Sequence, residues 1–320
     1  MAATTMTLPA SGAGSELAYI QETTFGQTPA SPSLVAVRCL PPQLDPQAEA
    51  FISEQINDLR VAAGLRHAYQ GAQLSIPMEL SYGAADEFLS GALMKDWASD
   101  TPGAGTDALD FGAVKKSYSM ELARLDAATA YYLLAKGCVF TGFDLNINAD
   151  GASAVSLTLN ALAASLSASN TTADAGGGYT AAPSNEPMIA ADVSSIQIDA
   201  SDVEIVGLSL SYSDPRSPQR VIGSKNAAGF IADGRRSLTG TISGYATSKA
   251  DFDRYLNETE SALTATLTDP AGNAFALSIP TWKATGYSEG QGQTAIRFEM
   301  TFEAYDADGT SPMRITRTAA

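Results

Sequence analysis

His67 is the only histidine in a chain of 320 residues. A Ser-His-Asp or Cys-His centre would have to be built around it. It lies in LRHAYQG, just before a strand-like run, with no Ser or Cys motif beside it. A surface or packing histidine is the plainer reading. Cys39 and Cys138 are the only cysteines. They read as small buried hydrophobes rather than as a disulfide, and with one histidine they cannot complete a zinc site. Charge is scarce too: 17% of the residues are charged, below the usual quarter, so much of the folded surface is expected to be covered. The balance is acidic in both halves, with a net charge of −16 and a pI of about 4.3. Such a field repels nucleic acid and anionic membranes and argues against a groove that grips phosphates. No basic segment leads into an apolar run at the N-terminus, and no apolar stretch approaches the length of a membrane span. These absences read as a soluble protein made in a reducing cytoplasm.

Recognisable sites are as scarce as the residues that would build them. NINADG, residues 146–151, resembles the start of a calcium loop, but its twelfth position is Leu157 rather than a bidentate Glu. Leu145 and Ile147 alternate with the asparagines there, as in a strand entering an Asp-Gly turn. GAGS and AGGGY precede no strand-to-helix unit and carry no Lys, which argues against a phosphate cradle. The carboxylates form no pair in a catalytic setting. No catalytic residue, metal or cofactor is expected, and the chain is not read as an enzyme.

Period-2 alternation is what the sequence has in abundance. QLSIPMELSY puts Leu74, Ile76, Met78 and Leu80 on one face. SYSMELA does so with Tyr118, Met120 and Leu122, and AVSLTLNALA with Val155, Leu157, Leu159 and Ala161. EIVGLSLSYS, LTGTISGY, ALTATLTD and AIRFEMTFEA repeat the rule in the second half. These runs predict half-buried strands of antiparallel sheets. Two helices are predicted at matching places. AADEFLSGALMKDW aligns Phe88, Leu89, Ala92, Leu93 and Trp97, and SKADFDRYLNE aligns Phe252, Tyr255 and Leu256, with Ser248 and Asp251 as a capping box. Trp97 and Trp282 both fall in patterns that favour core packing.

The chain also reads as if written twice. VFTGFDLNINADGASAVSLTLNALA (139–163) lies over KATGYSEGQGQTAIRFEMTFEA (283–304), with Thr141-Gly142-Phe143 on Thr285-Gly286-Tyr287. An internal duplication is the economical reading. The fold class expected is mainly β: two tandem antiparallel β-sandwich or barrel domains, each with one flanking α-helix. The predicted boundaries are a flexible N-terminus over 1–15, a first domain over 16–166 and a second over 188–308. Between them, residues 167–187 read as a linker whose Gly, Ala, Ser and Pro cannot pack a core. Residues 309–320 read as a C-terminal tail.

AYIQETTFGQTPASPSLVAVR, residues 18–38, opens with Glu22, Gly26 and Pro29 in a Glu-x-x-x-Gly-x-x-Pro spacing before a strand. It resembles the N-terminus of the siphophage tail tube (major tail) proteins. ISEQINDLR, GAQLSIPMELSYGAADEFLSGAL, KKSYSMELA and GCVFTGFDLNINADGASAVSLTL follow in that family's order over residues 16–165. The second half matches as a further copy but lacks the opening spacing. The resemblance implies sandwich domains whose inner sheet joins neighbouring subunits into a barrel around a lumen. For a tandem chain it implies a homotrimeric ring of six domains, stacked into a tube through which the genome passes without specific binding. A tape measure protein and a tail terminator are the implied partners. The virion tail is the implied location, with assembly in the host bacterial cytoplasm.

Within that resemblance, the polar faces of the alternating strands nominate Glu79, Glu121, Asn160, Thr241, Thr266, Glu299 and Glu303 as lumen-facing residues. Long connections over about 41–70 and 213–236 nominate Arg60, Arg66, Arg216, Arg220, Arg235 and Arg236 for contacts between rings. Tyr19 and Phe25 are the expected anchors of an N-terminal arm, on a neighbour or on their own domain. The competing readings are a tandem β-sandwich that binds carbohydrate or acts as an adhesin, and a hydrolase on a β scaffold.

Overall fold

A computed structural model describes residues 11–320 apart from 57, 63, 150–153, 291–294, 308 and 310. The predicted alternating runs form strands, and the fold is mainly β with two α-helices. The first half comprises β1 (Ser15–Gln21), β2 (Val35–Val37), β3 (Gln43–Ile52), β4 (Leu65–Glu79), α1 (Asp86–Leu93), β5 (Thr106–Asp110), β6 (Tyr118–Arg124), β7 (Tyr131–Asn148), β8 (Ser156–Ala163) and β9 (Ser165–Ser169). The second begins with β10 (Val193–Ile198), β11 (Ser201–Asp202), β12 (Ile205–Ser213), β13 (Arg216–Pro218), β14 (Phe230–Ala232) and β15 (Ser237–Tyr245). It ends with α2 (Ala250–Leu256), β16 (Ser261–Thr268), β17 (Ala274–Glu289), β18 (Arg297–Ala304) and β19 (Arg314–Thr318).

Two strands, β7 and β17, are long enough to serve two sheets each. The N-terminal part of β7 pairs with β6 and β9, and its C-terminal part with β8. In the same way β17 pairs first with β16 and β19, then with β18. Both shift register just before a glycine, between Phe140 and Gly142 in one case and between Ala284 and Gly286 in the other. A bulge of this kind bends the strand and lets it pass from sheet to sheet. The order β3-β4-β8-β7 in the first half thus recurs as β12-β15-β18-β17 in the second.

The two four-stranded sets are fused. β7 pairs antiparallel with β12 from Gly142↔Ser213 to Asn148↔Gly207, which makes one continuous eight-stranded sheet. Gly142 permits the approach, since a Cβ there would meet the Tyr212 carbonyl oxygen at 2.2 Å. The other strands form β2-β1-β6-β7-β9 in the first half and β11-β10-β16-β17-β19-β5 in the second, with β13 and β14 paired apart. β5, from the first half, therefore crosses to extend the second half's sheet. Among the described residues no barrel closes. The buried faces of all these sheets share one apolar core, which includes Tyr118, Phe140, Phe143, Trp282 and Phe302.

Several local expectations change on folding. Trp97 lies beyond α1, because Met94 turns left-handed (φ 57°) and ends the helix, and its Nε1 donates to the Asp86 carbonyl at 2.9 Å. Ser248 and Asp251 form no capping box. Lys249 is the N-cap of α2, Ser248 Oγ accepts only from the Ala250 N–H, and Asp251 pairs with Arg254. Residues 314–318 of the expected tail form β19. The expected linker is fastened to the first half by polar bonds that need no bulky side chain. The Thr180 N–H donates to the Leu34 carbonyl, and the Ala36 N–H to that of Thr180. The buried Asp174 carboxylate accepts from the backbone of Leu34 and Gly176.

Candidate functional site

Pleating gives the eight-stranded sheet one apolar and one polar face. In β4, Leu74, Ile76 and Met78 are buried, while Gln73, Ser75, Pro77 and Glu79 point the other way. The same alternation runs through β8, β7, β12, β15 and β18. Register then aligns the polar residues into rows across the seam. One row runs Glu79, Ser156, Asn146, Ser209, Thr241, Thr301. The next runs Pro77, Thr158, Asp144, Ser211, Thr239, Glu303. Small hydroxyls and amides thus cover most of this surface. Asp45, Glu79, Asp144, Glu299 and Glu303 give it a negative bias against Lys283 and Arg297. Such a face is wettable, weakly structured electrostatically, and unsuited to gripping an anion.

Five of the seven nominated lumen residues share this face: Glu79, Asn160, Thr241, Glu299 and Glu303. Thr266 lies instead on β16, in the second half's other sheet. Glu121 lies on β6, also in the other sheet, and is sealed. It accepts hydrogen bonds from Thr172 Oγ1, the Ala173 N–H and Tyr179 Oη, all from the segment joining the halves. There the outward side of its strand is covered by chain rather than water. Alternation along β7 would have found Asp144, which lies between the buried Phe143 and Leu145.

The arginines are distributed between the seam and the long connections. Arg216 and Arg236 both ion-pair with the buried Asp214 and both reach the Met94 sulfur at the end of α1. They thereby bind the two halves together. Arg220 pairs with Glu49 and stands 4.9 Å over the Tyr69 ring, so it ties the two long connections to each other. Arg235 pairs with Glu303 on the polar face. Arg60 and Arg66 are exposed near the tip of the β3–β4 hairpin. Around that tip Phe51, Ile52, Ile56, Leu59, Val61 and Leu65 are exposed as well.

The N-terminal segment is anchored within the chain. Tyr19 packs edge-on against Phe88 at 4.7 Å and near Tyr118 at 6.2 Å. Burial, reinforced by the Glu87 charge, pushes its hydroxyl up to about 12. Phe25 meets Phe230 of the second half at 6.1 Å. The buried Glu22 between them accepts from the N–H groups of Gly26 and Gly137 and from the hydroxyls of Ser117 and Ser119. The Glu and Gly of the opening spacing therefore act together as a structural lock.

Among the described residues no three His, Cys, Asp or Glu side chains come together as a metal site. Asp150 and Gly151 of the calcium-like NINADG stretch lie outside the described residues. His67 is exposed, with Gln70 Nε2 3.3 Å from its ring. No described helix is long and apolar enough to cross a membrane. No curated protein matches the chain. The family model for phage tail tube proteins matches residues 12–304, across both halves and the seam. The chain belongs to the phage tail tube protein family, as a structural component of a virion tail.

Proposed function

We propose that the chain is the major tail tube protein of a bacteriophage with a long, non-contractile tail. Three copies close a ring of six domains, and the rings stack into a hollow tube. The observation that carries this reading is the continuous sheet running through both halves with one polar, acid-biased face. Six repeats of the four-stranded set would continue that face around a lumen. DNA phosphates passing Glu79 and Glu299 there meet more carboxylates than cations, so little counterion release favours binding and the genome slides without sticking. A tape measure protein would occupy the lumen before DNA does, and a terminator would cap the last ring.

Contacts between rings fall to the β3–β4 hairpin, whose exposed apolar tip needs a cover. Arg60 and Arg66 would meet acids of the next ring there. Deleting residues 46–58 is expected to leave folded subunits that fail to elongate.

Negative-stain microscopy together with mass measurement of the smallest closed assembly tests the reading. Tubes built from trimers are expected. A ring of six whole chains would refute the trimer while sparing the tube, and a monomer under all conditions would refute both. Tubes carrying Glu79→Lys and Glu299→Lys should eject DNA slowly, with a strong dependence on salt. Ejection at the normal rate at low salt would remove these residues from the lumen.

A further inference from the structure

Among the described residues, two edges of the eight-stranded sheet are bare in a single chain. β3 pairs with β4 on one side, and residues 283–289 of β17 pair with β18 on one side. The seam inside the chain shows what a finished junction between such edges looks like, because β7 corresponds to β17 and β12 to β3. Register establishes the correspondence. Gly142 lies opposite Asn160, Asn160 opposite Ser75, and Ser75 opposite Gln43. In the second half Gly286 lies opposite Thr301, Thr301 opposite Thr241, and Thr241 opposite Ser209. Carried across, the seam pair Ser211↔Asp144 becomes Asp45↔Ser288, and Tyr212↔Phe143 becomes Pro46↔Tyr287.

We infer that β17 of one copy pairs antiparallel with β3 of a second copy in this register, with Asp45 opposite Ser288. The inference rests on the ring reading above and names the surfaces that close it. Three independent features of the bare edges support it.

The first is chemical. At the seam Ser211 Oγ donates to Asp144 Oδ1 at 2.7 Å. The bare edges carry the same two residue types with the strands exchanged, Asp45 on β3 and Ser288 on β17, both exposed. A hydrogen bond from Ser288 to Asp45 of the second copy would reproduce the seam bond in mirror order.

The second is apolar. At the seam the Tyr212 ring covers Phe143 at 5.4 Å. Its counterpart Tyr287 lies beside Phe252 at 5.6 Å and Tyr255 at 6.4 Å. That aromatic cluster is open to solvent, with Phe252 44%, Tyr255 37% and the adjacent Leu256 64% exposed. Pro46 of a second copy would lie over Tyr287, and the chain around it over the exposed face of α2. A proline on an open edge also removes a ladder donor, which discourages pairing with unrelated strands.

The third is steric. Gly142 is the residue past which the Tyr212 carbonyl runs. Gly286 repeats that glycine on the bare edge, where a Cβ would meet only the Thr301 hydroxyl within 4 Å. Room for an approaching strand is present there, and no strand among the described residues fills it.

Cysteine pairing tests the register. In a Cys39→Ser chain, Asp45→Cys with Ser288→Cys places the thiols directly opposite, within disulfide reach for an antiparallel pair. Oxidation of assembled tubes should give covalent dimers and trimers that reductant dissolves. Gln47→Cys with Ser288→Cys, two residues out of register, should give few. The reverse result, with tubes intact, would overturn the register and leave the ring. Charge exchange covers the case in which the cysteine chain fails to assemble. Ser288→Asp alone should raise the concentration needed for assembly about tenfold, by setting two carboxylates face to face. Adding Asp45→Ser should restore it to within about twofold. Failure of that rescue would overturn the inference, whereas a wild-type chain that closes no ring would overturn the ring reading beneath it.

Discussion

α1 and α2 follow corresponding strands, yet six of the eight residues of α1 are buried and none of α2 is. Both carry an apolar stripe at helical spacing, so the stripe is not what separates them. α1 sits at the seam, where Arg216 and Arg236 close over Met94 at its end. Arg317 of β19 pairs with Asp86 in its first turn and lies 4.6 Å over Trp97. α2 sits at the other end of the sheet, where Phe252 and Tyr255 lie beside Tyr287 yet stay, with Leu256, exposed to solvent. A helix face of one pattern is core or surface according to whether its neighbour is already attached.

The sharpest way to break this comparison is to truncate the matching aromatics. Phe88→Ala should destabilise the unassembled subunit by about 3–5 kcal/mol, since it empties a fully enclosed site. Phe252→Ala should cost that subunit less than about 1.5 kcal/mol but should impair assembly. Urea unfolding of the monomer beside assembly yield separates the two. Equal monomer losses would mean that α2 is already packed.

Asp214→Ala comes next, with an expected loss of about 3 kcal/mol, because two guanidinium groups at the seam lose their buried carboxylate. Unfolding should then separate into two transitions if the seam is what couples the halves. A single unshifted transition would show that β7·β12 pairing alone suffices.

Acid provides a smaller and local perturbation on the α1 side. The backbone N–H of Leu34, followed by those of Gly176 and Gly178, holds the Asp174 carboxyl below its usual range. Because the folded value is depressed, its stabilisation is complete above the unfolded pKa of about 4. It is lost as pH falls through the folded value. Hydrogen exchange across residues 172–180 should therefore rise at acid pH before the core opens. Asp174→Asn should remove that pH dependence. Last, Arg220→Ala removes an exposed ion pair, which contributes little to stability. Its trace should be faster exchange in β3, with stability almost unchanged.

Strands and the duplication were legible because alternation is local, and a strand with one buried face must write it every second residue. Residues 74–80 and 298–302 show this most plainly. What alternation cannot state is which sheet a strand joins or what lies over its outward face. Glu121 and Glu79 occupy equivalent positions in their patterns, yet one is roofed by Thr172 and Tyr179 while the other is open. Nothing local marks β5 as a strand of the other half's sheet, since its partner is about two hundred residues away. The seam contacts of Arg216 and Arg236 were hidden for the same reason. Their acid, Asp214, is close in sequence, but the helix end that both of them cover belongs to the first half.

The seam has a kinetic meaning beyond its bonds. Joining two copies of the four-stranded set in one chain turns every second junction of the proposed ring into an intramolecular event. Its partner is then present at the effective concentration of a short tether instead of the concentration of free protein. The translational and rotational freedom lost at that junction is surrendered once, during folding, so only alternate junctions remain to be found by diffusion. A ring made this way has half as many junctions to form between chains as one made from single domains. Its nucleation should therefore depend on subunit concentration with a correspondingly lower order.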